Sequence, residues 1–176
     1  MAEPDASAAN PLLSVDDLLR RRAERLRLVP NASDDEAVLP VAEFRIGEES
    51  YAIPLVDFRA VLPLRLVTPV PLAKGHVIGV LRFEGRILRA LSLASLLGAR
   101  GWAVDPRVLL VVVGPGGELV ALDCEQIPKP SAVPVAAVAQ AKRRAPGAVL
   151  ELTTRDLRQI RLIELDSLLR EGGRRS

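Results

Sequence analysis

The chain has 176 residues, of which 49% are hydrophobic and only 3% aromatic, so it can bury a compact core but offers few rings for base stacking. Its 24 basic and 22 acidic residues give a formal net charge of +2, which argues against a nucleic-acid-binding protein. No apolar run reaches the roughly eighteen residues that span a bilayer, and the N-terminus lacks a signal peptide's features, so we expect a cytoplasmic protein without membrane insertion.

The N-terminal region divides into a tail, a helix and a linker. Residues 1–13 have little to bury and are expected to be disordered. Over residues 14–29, a capping serine, two early aspartates and an apolar stripe at helical spacing predict an amphipathic helix. Its arginines fit a solvated helix face as well as a nucleic-acid contact, and the helix could dock on its own domain or on a partner. Pro30 ends the helix, and residues 30–40 are predicted to be a linker.

Two stretches with alternating apolar and polar residues predict two β-hairpins. The first is VAEFRIGEESYAI, residues 41–53, and the second is VLLVVVGPGGELVAL, residues 108–122. Prolines recur throughout the region that follows the linker, and they favour short strands joined by many turns. This pattern indicates small β-barrels rather than a parallel sheet covered by helices.

The two halves of the chain also resemble each other. ILRALSLASLL, residues 87–97, matches QIRLIELDSLL, residues 159–169, at a fixed offset of 72 residues. Each copy offers a hairpin, a loop, two more strands and a short terminal helix, which is too little to bury its own apolar faces. We therefore expect a diverged duplication whose two units pack against each other.

No catalytic or metal-binding set of residues assembles from the sequence. A single cysteine, Cys124, and a single histidine, His76, exclude an intramolecular disulfide and a structural zinc site. Cys124 lies in a strand-like run and is expected to be a small buried residue, whereas His76 has no nucleophile motif beside it. The GPGG sequence at residues 114–117 lacks the lysine of a phosphate-binding loop and is predicted to be a hairpin turn.

Three carboxylates could be mistaken for an acid–base cluster. Strand alternation places Asp123 and Glu125 on one face, and together with Glu118 they are predicted to be a solvated strand face. We therefore expect no catalytic residue, no cofactor and no metal, and hence a protein that is not an enzyme.

Four motifs in a fixed order resemble a CheW-like domain. They are F-x-I-G-x-E-x-Y-A-I at residues 44–53, T-P-V-P at 68–71, G-V-L-x-F-x-G-x-I-L at 79–88 and V-A-L-x-C-E-x-I at 120–127. The resemblance runs from about Val41 to Leu169. It implies a mainly β fold with two interleaved five-stranded SH3-like barrels around a shared hydrophobic core, over residues 41–170. An N-terminal amphipathic helix, a short C-terminal helix and a disordered tail over residues 171–176 complete the expectation.

The resemblance also implies partners and no enzyme activity. CheW-like proteins couple the regulatory domain of a CheA-type histidine kinase to the cytoplasmic tips of chemoreceptors, in chemotaxis or a related motility pathway. The implied kinase-interface candidates are Leu66, Thr68, Pro69, Val70 and Pro71. The implied receptor-interface candidates are Leu55, Phe58, Ala60, Arg82 and Glu84.

The sequence departs from the family pattern at polar positions. Where the family usually reads G-V-I-N-L-R-G, Arg82 replaces the asparagine and Glu84 replaces the arginine. Where it reads P-V-I-D-L, Arg89 replaces the proline and Ser92 the aspartate, and the glutamate common at Ala60 is absent. Because the apolar set specifies folding while charge at an interface specifies partners, we expect an intact fold with altered partner choice.

Two functions from different classes remain open after these steps. The first is a divergent adaptor with its own matched kinase and receptors. The second is an interaction module that keeps the fold but has left kinase and receptor coupling, assembling with other partners or with itself. A third, an enzyme, requires a pocket with converging titratable groups.

Overall fold

The computed structural model of the protein describes residues 37–98, 105–154 and 157–174. The predicted tail, the helix over residues 14–29 and most of the predicted linker lie outside these residues. The described part contains ten strands: β1 (Val38–Ile46), β2 (Glu49–Pro54), β3 (Phe58–Pro63), β4 (Val77–Phe83), β5 (Arg86–Leu91), β6 (Val108–Val113), β7 (Leu119–Cys124), β8 (Lys129–Pro134), β9 (Val149–Thr153) and β10 (Gln159–Ile163). It also contains three α-helices: α1 (Leu93–Leu96), α2 (Val135–Arg144) and α3 (Leu165–Arg174). None of the helices described is both long and apolar enough to cross a lipid bilayer.

The strands form two five-stranded sheets, each built from both halves of the chain. The first has the order β8-β1-β2-β10-β9 and the second the order β3-β6-β7-β5-β4. Neighbours are antiparallel except at one place in each sheet, where β10 pairs parallel with β2 and β5 pairs parallel with β7. The hairpin of each sequence repeat thus pairs with the last two strands of the other repeat, and the two halves are interleaved.

An ion pair occurs at the same place in both repeats. Arg161 of β10 pairs with Glu49 of β2, and Arg89 of β5 pairs at 3.0 Å with Glu118, just before β7. Arg89 and Arg161 are separated by the 72-residue offset of the duplication. Both pairs therefore cross the parallel strand contact that joins the two repeats, and Arg89 has a partner within the chain.

Three clusters of buried apolar side chains account for the packing. One fills the first barrel under α2 and consists of Val41, Ala52, Val133, Val138, Ala141, Leu150, Leu152, Ile160 and Leu162. A second fills the other barrel and consists of Leu81, Leu88, Ala90, Leu109, Val111 and Ala121. The third draws on both sheets and on α1 and α3, and its members include Phe44, Tyr51, Ile53, Leu91, Leu93, Leu110, Leu122, Ile163 and Leu168. The prediction of a mainly β fold with two five-stranded units around a shared core is confirmed.

Two predicted boundaries are wrong by a few residues. Strand β1 begins at Val38, inside the predicted linker, because residues 38–43 pair with β8. Helix α3 continues to Arg174, inside the predicted tail, and Leu168 and Leu169 of this helix pack in the shared core. A Cβ at Gly172 would overlap the Leu96 side chain, which shows how closely α3 approaches α1. Two residues in contact there come from distant parts of the chain, so local sequence signals do not reveal the boundary.

Candidate protein interface

The T-P-V-P segment is held against β4 by backbone hydrogen bonds. The Thr68 amide donates to the Val80 carbonyl at 2.8 Å, and the Val80 amide donates to the Thr68 carbonyl at 2.9 Å. A 3-10 turn at Leu64–Leu66 precedes this bridge, and its first amide donates to the Arg107 carbonyl at 3.1 Å. The segment that follows β3 therefore reaches the free edge of β4 and closes the second barrel.

Gly79 makes that closure possible. A Cβ at this position would lie 2.6 Å from Val67 Cγ1 and 2.9 Å from the Thr68 carbonyl carbon. Gly79 also has a φ of +155°, a backbone conformation that residues with a side chain rarely adopt. The T-P-V-P segment thus lies directly on the backbone of β4.

The outer side of the segment is apolar. Leu66, Val70 and Leu72 expose 44%, 42% and 105% of their surface, and we call these three residues the apolar ridge. Val67 points the other way and packs on the interior of the second barrel. Leu66 and Val70 are among the predicted contact residues but Leu72 is not, because exposure in a turn leaves no sequence periodicity to detect.

Arg82 and Glu84 lie on the hairpin formed by β4 and β5. Arg82 is exposed at the end of β4 opposite Ile87, whose surface is 79% exposed. Glu84 and Gly85 form the turn, with φ of +48° and +76°. Neither the Arg82 nor the Glu84 side chain makes a hydrogen bond or ion pair with any residue that the structure describes. Both charges are therefore directed to solvent, Arg82 on the strand that receives the T-P-V-P segment and Glu84 in the turn that follows it.

The other receptor candidates lie around β3, which is the first strand of the second sheet, whereas β4 is the last. Leu55 is half-buried in a 3-10 turn, Leu55–Asp57, and its neighbour Val56 is 71% exposed. Phe58 packs against the shared core, and Ala60 packs against the interior of the second barrel. The structure thus divides the ten candidates into a β4 group and a β3 group, and it shows Val56 as an exposed apolar residue that the sequence analysis missed.

The carboxyl of Asp57 lies in unfavourable surroundings beside the β3 group. Burial is the main cause that raises the pKa of this carboxyl. The negative charges of Asp166 and Glu164 raise it further, while the positive charge of Arg59 lowers it. Because the folded chain then binds its proton more tightly than the unfolded chain, this group costs stability as pH rises above the ordinary value of 3.8.

We expect Asp57→Asn to raise the thermal midpoint of unfolding at pH 7. The substitution removes a charge that the folded state disfavours, so the gain should shrink as pH falls toward 3.8, where the wild-type carboxyl takes up a proton. Thermal unfolding of both proteins between pH 4 and pH 7 measures the effect. A difference that stays constant over that range would contradict it.

Ser92, one of the departures from the family pattern, has a structural task. It is the N-cap of α1, and its hydroxyl accepts a hydrogen bond from the Ser95 amide at 3.4 Å. Asp123 Oδ1 accepts a second one from the Leu93 amide at 2.6 Å. Burial raises the pKa of the Asp123 carboxyl, although the bond from Leu93 acts in the opposite direction. Together, Ser92 and Asp123 satisfy amides at the start of α1.

The prediction of a merely solvated acidic face is therefore wrong. Asp123 is half-buried and engaged as described, and Glu125 accepts hydrogen bonds from the Gly47 amide at 3.3 Å and the Asp105 amide at 3.2 Å. The signal was not visible in the sequence, because each bond joins residues twenty or more positions apart. These carboxylates connect separate turns of the fold.

Other residues singled out by the sequence have ordinary structural roles. Cys124 is 3% exposed, as predicted, and burial raises the pKa of its thiol to about 11. The GPGG turn joins β6 to β7, as predicted. The carbonyl of His76 accepts a hydrogen bond from the Ser92 amide at 2.7 Å, which ties the start of β4 to the end of β5.

One open cavity, of about 380 Å³, is lined by four ionisable groups, Tyr51, Arg144, Glu151 and Arg161. Arg161 in its wall pairs with Glu49 and lies 3.7 Å from Glu151, and its guanidinium carbon is 5.8 Å from the centre of the Tyr51 ring. The Tyr51 hydroxyl donates to Glu49 at 2.8 Å, and burial followed by this bond raises its pKa to about 12. These pairings stabilise the contact between β2, β9 and β10. Among the described residues, no group of three histidine, cysteine or acidic side chains could hold a metal ion.

Comparison with known proteins agrees with the fold. A family model described as CheW-like domain matches residues 40–172. Among solved structures, the chain is similar to the crystal structure of the scaffolding protein TtCheW from Thermoanaerobacter tengcongensis, with 17% sequence identity and a TM-score of 0.58. The match covers 75% of this chain and 92% of that one, and at this identity it shows a shared fold. A search of the curated proteins finds no match.

Proposed function

Because the chain belongs to the CheW-like domain family, we propose that it couples the regulatory domain of a CheA-type histidine kinase to the cytoplasmic tips of chemoreceptors. Members of this family are non-enzymatic scaffold proteins that serve as coupling proteins in chemotaxis. Membership of the family supports a coupling or scaffold role in chemotaxis for this chain. We also propose that this chain is not an enzyme and that it acts in the cytoplasm. The identity of its two partners is part of the same proposal.

The observation that carries the proposal is the exposed surface beside β4. The apolar ridge lies on a segment that prolines stiffen and two backbone hydrogen bonds hold to β4. Exposed apolar residues on a rigid support bind a protein partner at a small cost in conformational entropy. We assign this surface to the kinase regulatory domain, with Leu66, Thr68, Pro69, Val70 and Pro71 as contact residues.

The β3 group supplies the proposed receptor surface. Leu55 and the exposed Val56 form an apolar turn, while Phe58 and Ala60 support it from the core side. Arg82 and Glu84 contribute charge from the β4–β5 hairpin. Because these two charges have no partner among the described residues, they are available to select a receptor of matching charge. Arg89 is not available to contact a receptor in this way, since it pairs with Glu118 at 3.0 Å.

We expect the double variant Arg82→Asn with Glu84→Arg to fold normally and to change its choice of receptor. Both side chains are exposed, so the thermal midpoint should stay within about 2 °C of the wild type. Affinity for the receptor tip from the same genome should fall about 10-fold or more, as a like-charge or unpaired contact replaces a matched one. Calorimetric titration with the purified receptor tip and with the kinase regulatory domain measures both affinities.

A matched control lies on the β1–β2 hairpin. Arg45 and Glu48 are an exposed pair at 3.2 Å, so Arg45→Asn with Glu48→Arg makes the same chemical change on the first barrel. We expect this control to bind both partners like the wild type. If the wild type binds neither partner at micromolar concentration, the coupling function is wrong and an interaction module with other partners replaces it. A large loss of thermal stability in the first variant would show that Arg82 and Glu84 serve the fold.

A further inference from the structure

Leu72 has an unfavourable backbone conformation, and no contact within the described part of the chain compensates for it. Its φ is +58°, in the left-handed region that favours glycine, and its side chain is fully exposed. A leucine there strains the backbone and buries no apolar surface within the described part of the chain. Residues held in strained conformations concentrate at functional sites, where contact with a ligand or partner compensates for the strain.

The surroundings of Leu72 are also apolar and rigid. Val70 is two residues away, so the two Cα atoms lie within about 7 Å, and it exposes 42% of its surface. Pro69 and Pro71 fix φ on either side of Val70, and the bridge between Thr68 and Val80 holds the segment at its other end. Leu72 is therefore a prominent apolar side chain on a support that loses little freedom when a partner binds.

A second exposed leucine in the same conformation provides a comparison. Leu157 also has φ of +58° and is 83% exposed. Its described neighbours in the chain are polar or charged: Arg158 and Gln159 are exposed, and Thr154 is partly buried. Of the two leucines, Leu72 is the one with an exposed apolar neighbour in the described chain, Val70, as an anchor residue in a docking surface should have.

We propose that Leu72 is the anchor residue of the apolar ridge and that it inserts into an apolar pocket of the protein that binds this surface. The inference rests on the proposed function, under which that protein is the regulatory domain of the CheA-type kinase. It adds to that function a residue outside the T-P-V-P motif, and it makes Leu72 the residue on which kinase affinity depends most.

The test compares Leu72→Gly and Leu72→Asn with Leu157→Gly. Glycine and asparagine both tolerate positive φ, so each variant relieves the strain while removing the apolar side chain. The two leucines share one backbone conformation, so Leu72→Gly and Leu157→Gly should shift the thermal midpoint by the same amount, within about 2 °C. This comparison shows whether any change in binding arises from altered folding.

Binding is measured by calorimetric titration with the purified kinase regulatory domain from the same genome. Both Leu72 variants should bind about 10- to 30-fold more weakly than the wild type, whereas Leu157→Gly should bind within about twofold of it. Wild-type binding with unchanged affinity in the Leu72 variants overturns the inference and leaves the proposed function standing. No binding by the wild type overturns both. Sedimentation that shows wild-type self-association lost in Leu72→Gly would assign the ridge to a second copy of the chain and overturn the inference as well.

Discussion

Gly79→Ala is expected to lower the free energy of unfolding by about 3–5 kcal/mol and to release the T-P-V-P segment from β4. A φ of +155° costs a non-glycine residue about 1–3 kcal/mol. The added Cβ would also lie 2.9 Å from the Thr68 carbonyl carbon, so the two backbone hydrogen bonds between Thr68 and Val80 cannot keep their geometry. Each lost hydrogen bond adds about 1 kcal/mol.

Chemical denaturation followed by circular dichroism measures this loss, and hydrogen exchange at the Thr68 and Val80 amides reports whether the segment has separated. Gly75→Ala is the matched control, because Gly75 precedes the same strand and a Cβ there would meet nothing within 4 Å. It should change the free energy of unfolding by less than about 1 kcal/mol. An equal effect of both substitutions would show that close packing at Gly79 does not hold the segment. Kinase binding should weaken with Gly79→Ala alone, since the proposed docking surface depends on that support.

Leu122→Ala is expected to destabilise both barrels together by about 2–5 kcal/mol. Leu122 is fully buried on β7, in the cluster that also includes Phe44 and Ile53 from the first sheet and Leu168 from α3. Removing its methyl groups leaves a cavity against residues of both sheets. Because neither unit covers its inner face alone, the chain should still unfold in a single transition at a lower denaturant concentration.

Hydrogen exchange distinguishes shared from local stabilisation. The slowest amides of β1 and β2 should lose as much protection as those of β6 and β7, although the substitution lies in the second sheet. Ile87→Ala is the control, since Ile87 is 79% exposed and its loss should cost less than about 1 kcal/mol. Loss of protection confined to the second sheet, or two separate transitions, would show that the two barrels are independently stable.

The candidate site was predictable in part. The T-P-V-P motif and the altered charges at Arg82 and Glu84 are visible in the sequence, and the structure places them on or beside one strand. Ser92 and Arg89 also stood out as departures from the family pattern, but Ser92 caps α1 through the Ser95 amide, and Arg89 pairs with Glu118, 29 residues away. Whether an unusual polar residue faces a partner or supports the fold depends on such distant contacts.

By itself the sequence determined the two hairpins and the duplication, since period-two alternation and turn residues act over a few neighbouring positions. Only the tertiary structure decided that each hairpin pairs with the last strands of the other repeat, through β2 with β10 and β7 with β5. The tertiary structure likewise showed that Leu72 is exposed at positive φ. The physical reason is that pairing between distant strands follows from how the whole chain buries its apolar faces, which no local pattern encodes.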